Sequence, residues 1–97
     1  MIVDAHLDLA HNVLELHRDL TLELPELRNR DTHRDIPVVT LPALRAGGVG
    51  LCFATLFVDP KKYLEPETAH PAALEQLAVY QRWEEQGRAR IIRNKED

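Results

Sequence analysis

Thiol chemistry is nearly missing from this sequence: Cys52 is the single cysteine among 97 residues. No disulfide can form within one chain. Cys52 lies inside an apolar run and reads as a buried structural thiol, not a nucleophile. A basic excess is missing too. The net charge of -4 gives no footprint for nucleic acid. The one basic cluster, Arg88, Arg90, Arg93 and Lys95, is short, sits beside Glu96 and Asp97, and reads as a solvated helix end or strand flank. No apolar run approaches the ~20 residues of a membrane span. The first residues carry acid where a signal peptide needs a basic n-region, so no membrane association is expected and the cytoplasm is the default compartment. Internal repeats and low-complexity segments are absent. With 44% hydrophobic and 29% charged residues, the composition is that of an ordinary globular chain, long enough for one small domain. Aromatic residues are scarce, at 5%.

What is present begins at once. Ile2-Val3-Asp4-Ala5 is a short strand running into His6-Leu7-Asp8-Leu9. Side chains alternate faces along a strand, so His6 and Asp8 are expected to point the same way. An imidazole nitrogen beside a carboxylate oxygen at a strand end makes half of a divalent metal site. Asp8 equally suits the N-cap of a following helix, for which Leu9, Val13, Leu14 and Leu16 supply an inward face as far as about Arg18. His11 and His17 lie on that helix, where surface or packing roles are the commoner ones. Asp19 to Asp35 is polar and irregular, with a short strand or extended arm suggested by the alternation of Leu20, Leu22 and Leu24. His33 falls there, at the surface.

Thr40 is an N-cap for one helical turn with Pro42 in its first positions, closed by Gly47 or Gly48. Val49 to Val58 is apolar almost throughout, stops at Asp59-Pro60, and reads as a central parallel strand covered on both faces. Ala54 and Thr55, being small, would leave room in front of its end. A helix is expected from about Pro71 to Gln86, stopped by Gly87. Arg90 to Arg93 is strand-like, and Asn94 to Asp97 suits the start of another helix. The resulting order is α/β, with two adjacent parallel strands whose C-terminal ends share one side, the side that carries chemistry in such folds. A doubly covered strand is more than so short a chain can bury by itself, which points to a part of something larger.

Two stretches carry a family resemblance. Val3-Asp4-Ala5-His6-Leu7-Asp8-Leu9 resembles the opening strand of the membrane (renal) dipeptidase family of zinc metallopeptidases. Leu41-Pro42-Ala43-Leu44-Arg45-Ala46-Gly47-Gly48-Val49-Gly50 resembles that family's second signature, and Leu74-Glu75-Gln76-Leu77 fits the helix that follows. The resemblance spans most of the chain, in the same order and at similar spacing, and is closer to bacterial, soluble members. His11 in place of an aromatic residue, and Cys52-Phe53-Ala54 in place of a run with Gln and Trp, depart from the animal enzymes and bear on substrate preference.

The resemblance implies a (β/α)8 TIM barrel related to the amidohydrolases, with two zinc ions at its C-terminal mouth, that cleaves dipeptides. His6 and Asp8 would be ligands of one zinc. The bridging glutamate, the two histidines of the other zinc and the catalytic aspartate have no counterpart here, so no catalytic residue is assigned. A complete barrel takes ~200 or more residues. Residues 1–97 are therefore expected to form a single N-terminal segment, a partial (β/α)8 barrel of two βα units with parallel strands, without appreciable peptidase activity of its own. Bare sheet edges and apolar helix faces lead to the expectation of a homo-oligomer. Two other readings stay open: a non-catalytic remnant that self-associates through those edges, and an unrelated small α/β binding domain in which Asp8 is only a helix cap.

Overall fold

The computed structural model describes residues 1–97. The chain is mixed α/β, with four helices and a two-stranded parallel sheet. It divides into two compact units, Met1–Thr55 and Leu56–Asp97.

In the first unit, β1 (Ile2–Leu7) pairs in parallel with β2 (Val49–Ala54). Parallel neighbours need a long crossover, here built from α1 (Leu9–Leu14), α2 (Leu24–Arg30) and α3 (Leu41–Ala46). The ladder slips twice. Ile2 faces Val49 but Val3 faces Leu51, so Gly50 is an extra residue in β2. Asp4 faces Cys52 and Leu7 faces Ala54, so Ala5 and His6 stand opposite Phe53 alone. Such a bulge bends a strand and re-aims its side chains, and this one falls at His6. Leu9, Ala10, Leu20, Leu27 and Leu41 form the buried apolar set of this unit.

Several sequence expectations hold at the level of single residues. Thr40 caps α3, its Oγ1 accepting from the Ala43 amide at 3.2 Å, with Pro42 in the first turn. Gly48 carries the left-handed backbone, φ 80°, that turns the chain into β2, a conformation glycine adopts without steric cost.

Others are corrected. The first helix ends at Leu14, not near Arg18: His17 takes φ 53° and the Arg18 amide turns back to the Asn12 carbonyl at 3.1 Å. The stretch expected to be an irregular or extended arm contains α2. Asp19 accepts from both the amide and the hydroxyl of Thr21, so Leu20 and Leu22 lie in a turn and Pro25 starts a helix that buries Leu27. The second strand stops at Ala54, short of Val58. Its last rung, Thr55 N–H to Leu7 O at 3.0 Å, is where β1 runs out of partners. It is also not covered on both faces, since Phe53 is 63% exposed, as are Ile2 and Val3 in β1 at 53% and 52%.

The second unit is built on α4 (Pro66–Glu85), which begins five residues before the expected Pro71 and contains it. Pro66 occupies the first turn, where its missing N–H costs nothing, and the amides of Thr68 and Ala69 both reach Glu65 O. Pro71 then removes one backbone bond from a helix of 20 residues. Val79, Trp83 and Gln76 are its buried residues, and Tyr80 meets Trp83 edge-on at 5.9 Å.

Gly87, φ 71°, closes α4: its amide bonds Glu84 O at 3.0 Å and that of Arg88 bonds Trp83 O at 2.8 Å. These are the paired bonds of a Schellman cap. Residues 90–93 form no strand, and 94–97 form a turn, not a new helix. Glu84 explains the former: its carboxylate accepts from the Ile91 amide and, through both oxygens, from the Arg93 guanidinium. These bonds hold the Glu84 carboxyl down at about 2.

Candidate metal half-site at the strand ends

Two residues of the opening stretch converge as their spacing predicts. His6 Nε2 lies 3.3 Å from Asp8 Oδ1. β1 holds His6, and Asp8 follows immediately at the start of α1. Both side chains reach solvent, His6 at 71% and Asp8 at 38% exposure.

Asp8 occupies the N-cap position of α1, yet its carboxylate makes no capping bond. Its backbone, φ -89° and ψ 57°, lies outside the extended region that capping residues adopt. The carbonyl of Asp8 serves the helix instead, accepting from the Asn12 amide and from Asn12 Nδ2 at 2.9 Å. The carboxylate turns away, toward His6 and Thr55, and the Thr55 hydroxyl donates to Asp8 Oδ1.

The donor pair suits a divalent ion such as zinc. Bonds of ~2.1 Å in a tetrahedral site put neighbouring donor atoms ~3.4 Å apart, close to the separation of His6 Nε2 and Asp8 Oδ1. An imidazole nitrogen and a carboxylate oxygen are also the right chemistry for it. No third His, Cys, Asp or Glu joins them. His11 sits half-buried on α1, and Cys52 lies opposite Asp4 in the ladder. Burial, and secondarily the Asp4 charge, push the Cys52 thiol up, which keeps it protonated at neutral pH and unsuited to nucleophilic work.

The sequence reading missed two features. Thr55, small in the sequence reading, contributes through its hydroxyl contact to Asp8. The signal was available: in a parallel pair, the residue just past the second strand lies beside the residue just past the first. The other feature is a buried network in the stretch read as irregular. Arg18, 7% exposed, donates to both carboxylate oxygens of Asp31 at 3.0 and 3.3 Å, to Asn12 Oδ1 and to Asp35 O. The guanidinium bonds, with help from His33, hold the Asp31 carboxyl down at about 2. His33 is exposed as expected, with its Nδ1 against Asp31 Oδ1 at 3.1 Å. The sequence near Arg18 does not announce this network, because Asp31 and Asp35 lie 13 and 17 residues away.

Comparison with family models, curated proteins and solved structures finds no match for this chain. No helix is long and apolar enough to cross a membrane.

Proposed function

We propose that this chain is the N-terminal portion of a zinc-dependent dipeptidase of the membrane (renal) dipeptidase type, acting in the cytoplasm, with His6 and Asp8 as ligands of one of its two zinc ions. The observation that carries the reading is the convergence of His6 and Asp8 at the C-terminal end of a parallel strand, with Asp8 withdrawn from the capping role that its position offers. The opening signature and the Leu41–Gly50 signature support the family. The parallel order of β1 and β2 is compatible with the first two strands of a (β/α)8 barrel.

In hydrolysis, zinc supplies a bound water of lowered pKa and polarises the peptide carbonyl. The chain's own residues do less than that. His6 gives a neutral nitrogen through Nε2, and Asp8 gives a charged oxygen that offsets part of the metal's charge. Catalytic zinc sites commonly use three protein ligands. Two are present, so these residues hold a metal weakly and do not complete a dipeptidase site.

The test is metal uptake by the full chain. Dialysed against micromolar zinc, the parent should retain metal that His6→Ala does not, and should show no zinc-dependent dipeptide hydrolysis. Equal metal content in parent and variant would end the reading of His6 as a ligand.

A second reading, a non-catalytic chain that associates with copies of itself, is favoured by the bare apolar side chains of β1 and β2. Ile2, Val3 and Phe53 are each more than half exposed, and parallel sheets are ordinarily covered on both faces. A concentration-independent monomer in light scattering would count against it.

A further inference from the structure

We infer that Thr55 is a positioning residue for the Asp8 carboxylate, presenting it to a divalent cation. The inference rests on the metal reading above and adds a residue to it.

The geometry follows from the sheet. The Thr55 amide makes the last rung with Leu7 O at 3.0 Å, which sets Thr55 directly beside Asp8 although 47 residues separate them in sequence. Threonine is branched at Cβ, so few χ1 rotamers are open to it. With the backbone held by the rung, the direction of the hydroxyl is held as well. That hydroxyl has one proton, and it is donated to Asp8 Oδ1. A carboxylate oxygen has two lone pairs. One pair on Oδ1 is taken by Thr55, which leaves one for a cation held together with His6 Nε2, 3.3 Å away.

The alternative anchor for Asp8 is the N-terminus of α1, which would draw the carboxylate onto backbone amides. Asp8 makes no such bond. Thr55 therefore holds the side chain away from the cap and next to the imidazole. The second strand of the sheet thus contributes to a site whose donors come from the first. A hydrogen bond to the far side of a ligand is the usual means by which proteins orient metal-binding groups, and losing one typically costs 10–100-fold in affinity.

The experiment compares zinc affinity by isothermal titration for the full chain and four variants: Thr55→Val, Thr55→Ser, Thr55→Ala and His6→Ala. Circular dichroism of each metal-free protein is taken alongside. Valine keeps the shape of threonine and removes the donor, while serine keeps the donor. The expected result is ~10–100-fold weaker binding in Thr55→Val and Thr55→Ala, binding within a few-fold of the parent in Thr55→Ser, and none in His6→Ala.

If Thr55→Val binds zinc as the parent does while His6→Ala does not, the metal reading survives and the role of Thr55 is overturned. If the parent itself takes up no zinc, the metal reading fails and the role of Thr55 with it. If Thr55→Val and Thr55→Ala both lose their metal-free structure, Thr55 is part of the fold's framework and the positioning role is overturned.

Discussion

The first unit contains two histidine–aspartate pairs, built in opposite ways. At the strand ends, His6 meets Asp8 in the open, and one neutral hydroxyl, from Thr55, supports the carboxylate. In the crossover, His33 meets Asp31, whose side chain is only 4% exposed and whose two oxygens are taken up by the Arg18 guanidinium and the His33 amide. The two pairs have similar lengths, 3.3 and 3.1 Å. The difference lies in what remains for a ligand. Asp31 has spent its acceptor capacity on the protein and ties α1, α2 and the following turn together. The Asp8 carboxylate sits at a helix start without capping it, and is contacted only by the Thr55 hydroxyl and the exposed His6 ring. A buried, saturated carboxylate belongs to architecture, and an exposed, oriented one is available for chemistry.

Breaking the buried pair should have the largest effect. Arg18→Met leaves the Asp31 carboxylate buried without its cation, a class of change that costs a small domain roughly a third or more of its stability. The urea midpoint should drop accordingly, while His6→Ala should leave it nearly unmoved. The pH dependence separates the pairs further. The Asp31 carboxyl is held at about 2, below its ordinary value of 3.8, because the folded state favours its charged form. Its contribution to stability is therefore present in full above about pH 4 and is lost as the pH falls toward 2. Urea midpoints of the parent should decline across that window, and those of Arg18→Met should decline less. Equal slopes would mean that Arg18 is not what holds Asp31 charged.

A smaller effect sharpens the contrast between a cap that is made and one that is not. Thr40 is fully buried and caps α3, so Thr40→Ala should cost about 1 kcal/mol. Asp8 stands at the same position of α1 without capping it, and Asp8→Ala should stay within ~0.5 kcal/mol of the parent. Thermal or urea melts of the two variants, compared with the parent, provide the check. A loss in Asp8→Ala as large as in Thr40→Ala would restore the capping reading of Asp8.

The legible parts of the fold were those fixed by local rules. The Thr40 cap, a left-handed glycine at 47 or 48, the glycine stop at 87, the short opening strand and the parity that brings His6 to Asp8 all depend on a few neighbouring residues. Element ends were less legible. β2 stops where its partner stops, and α4 starts at Pro66 because Glu65 can accept from two amides, neither of which shows in an apolar pattern. The crossover was least legible, because α2 owes its place to the burial of Leu27 and to Arg18 reaching Asp31 and Asp35.

The sequence by itself therefore determined the donor pair and the strand that carries it, through period-two alternation and covalent adjacency. Only the tertiary structure decided where the Asp8 carboxylate points. The capping role of Asp8 and its metal-binding role are equally consistent with its local sequence. What draws the carboxylate from the cap is a hydroxyl delivered by the parallel partner from 47 residues away, and contacts of that range are set by packing and register, which no local pattern encodes.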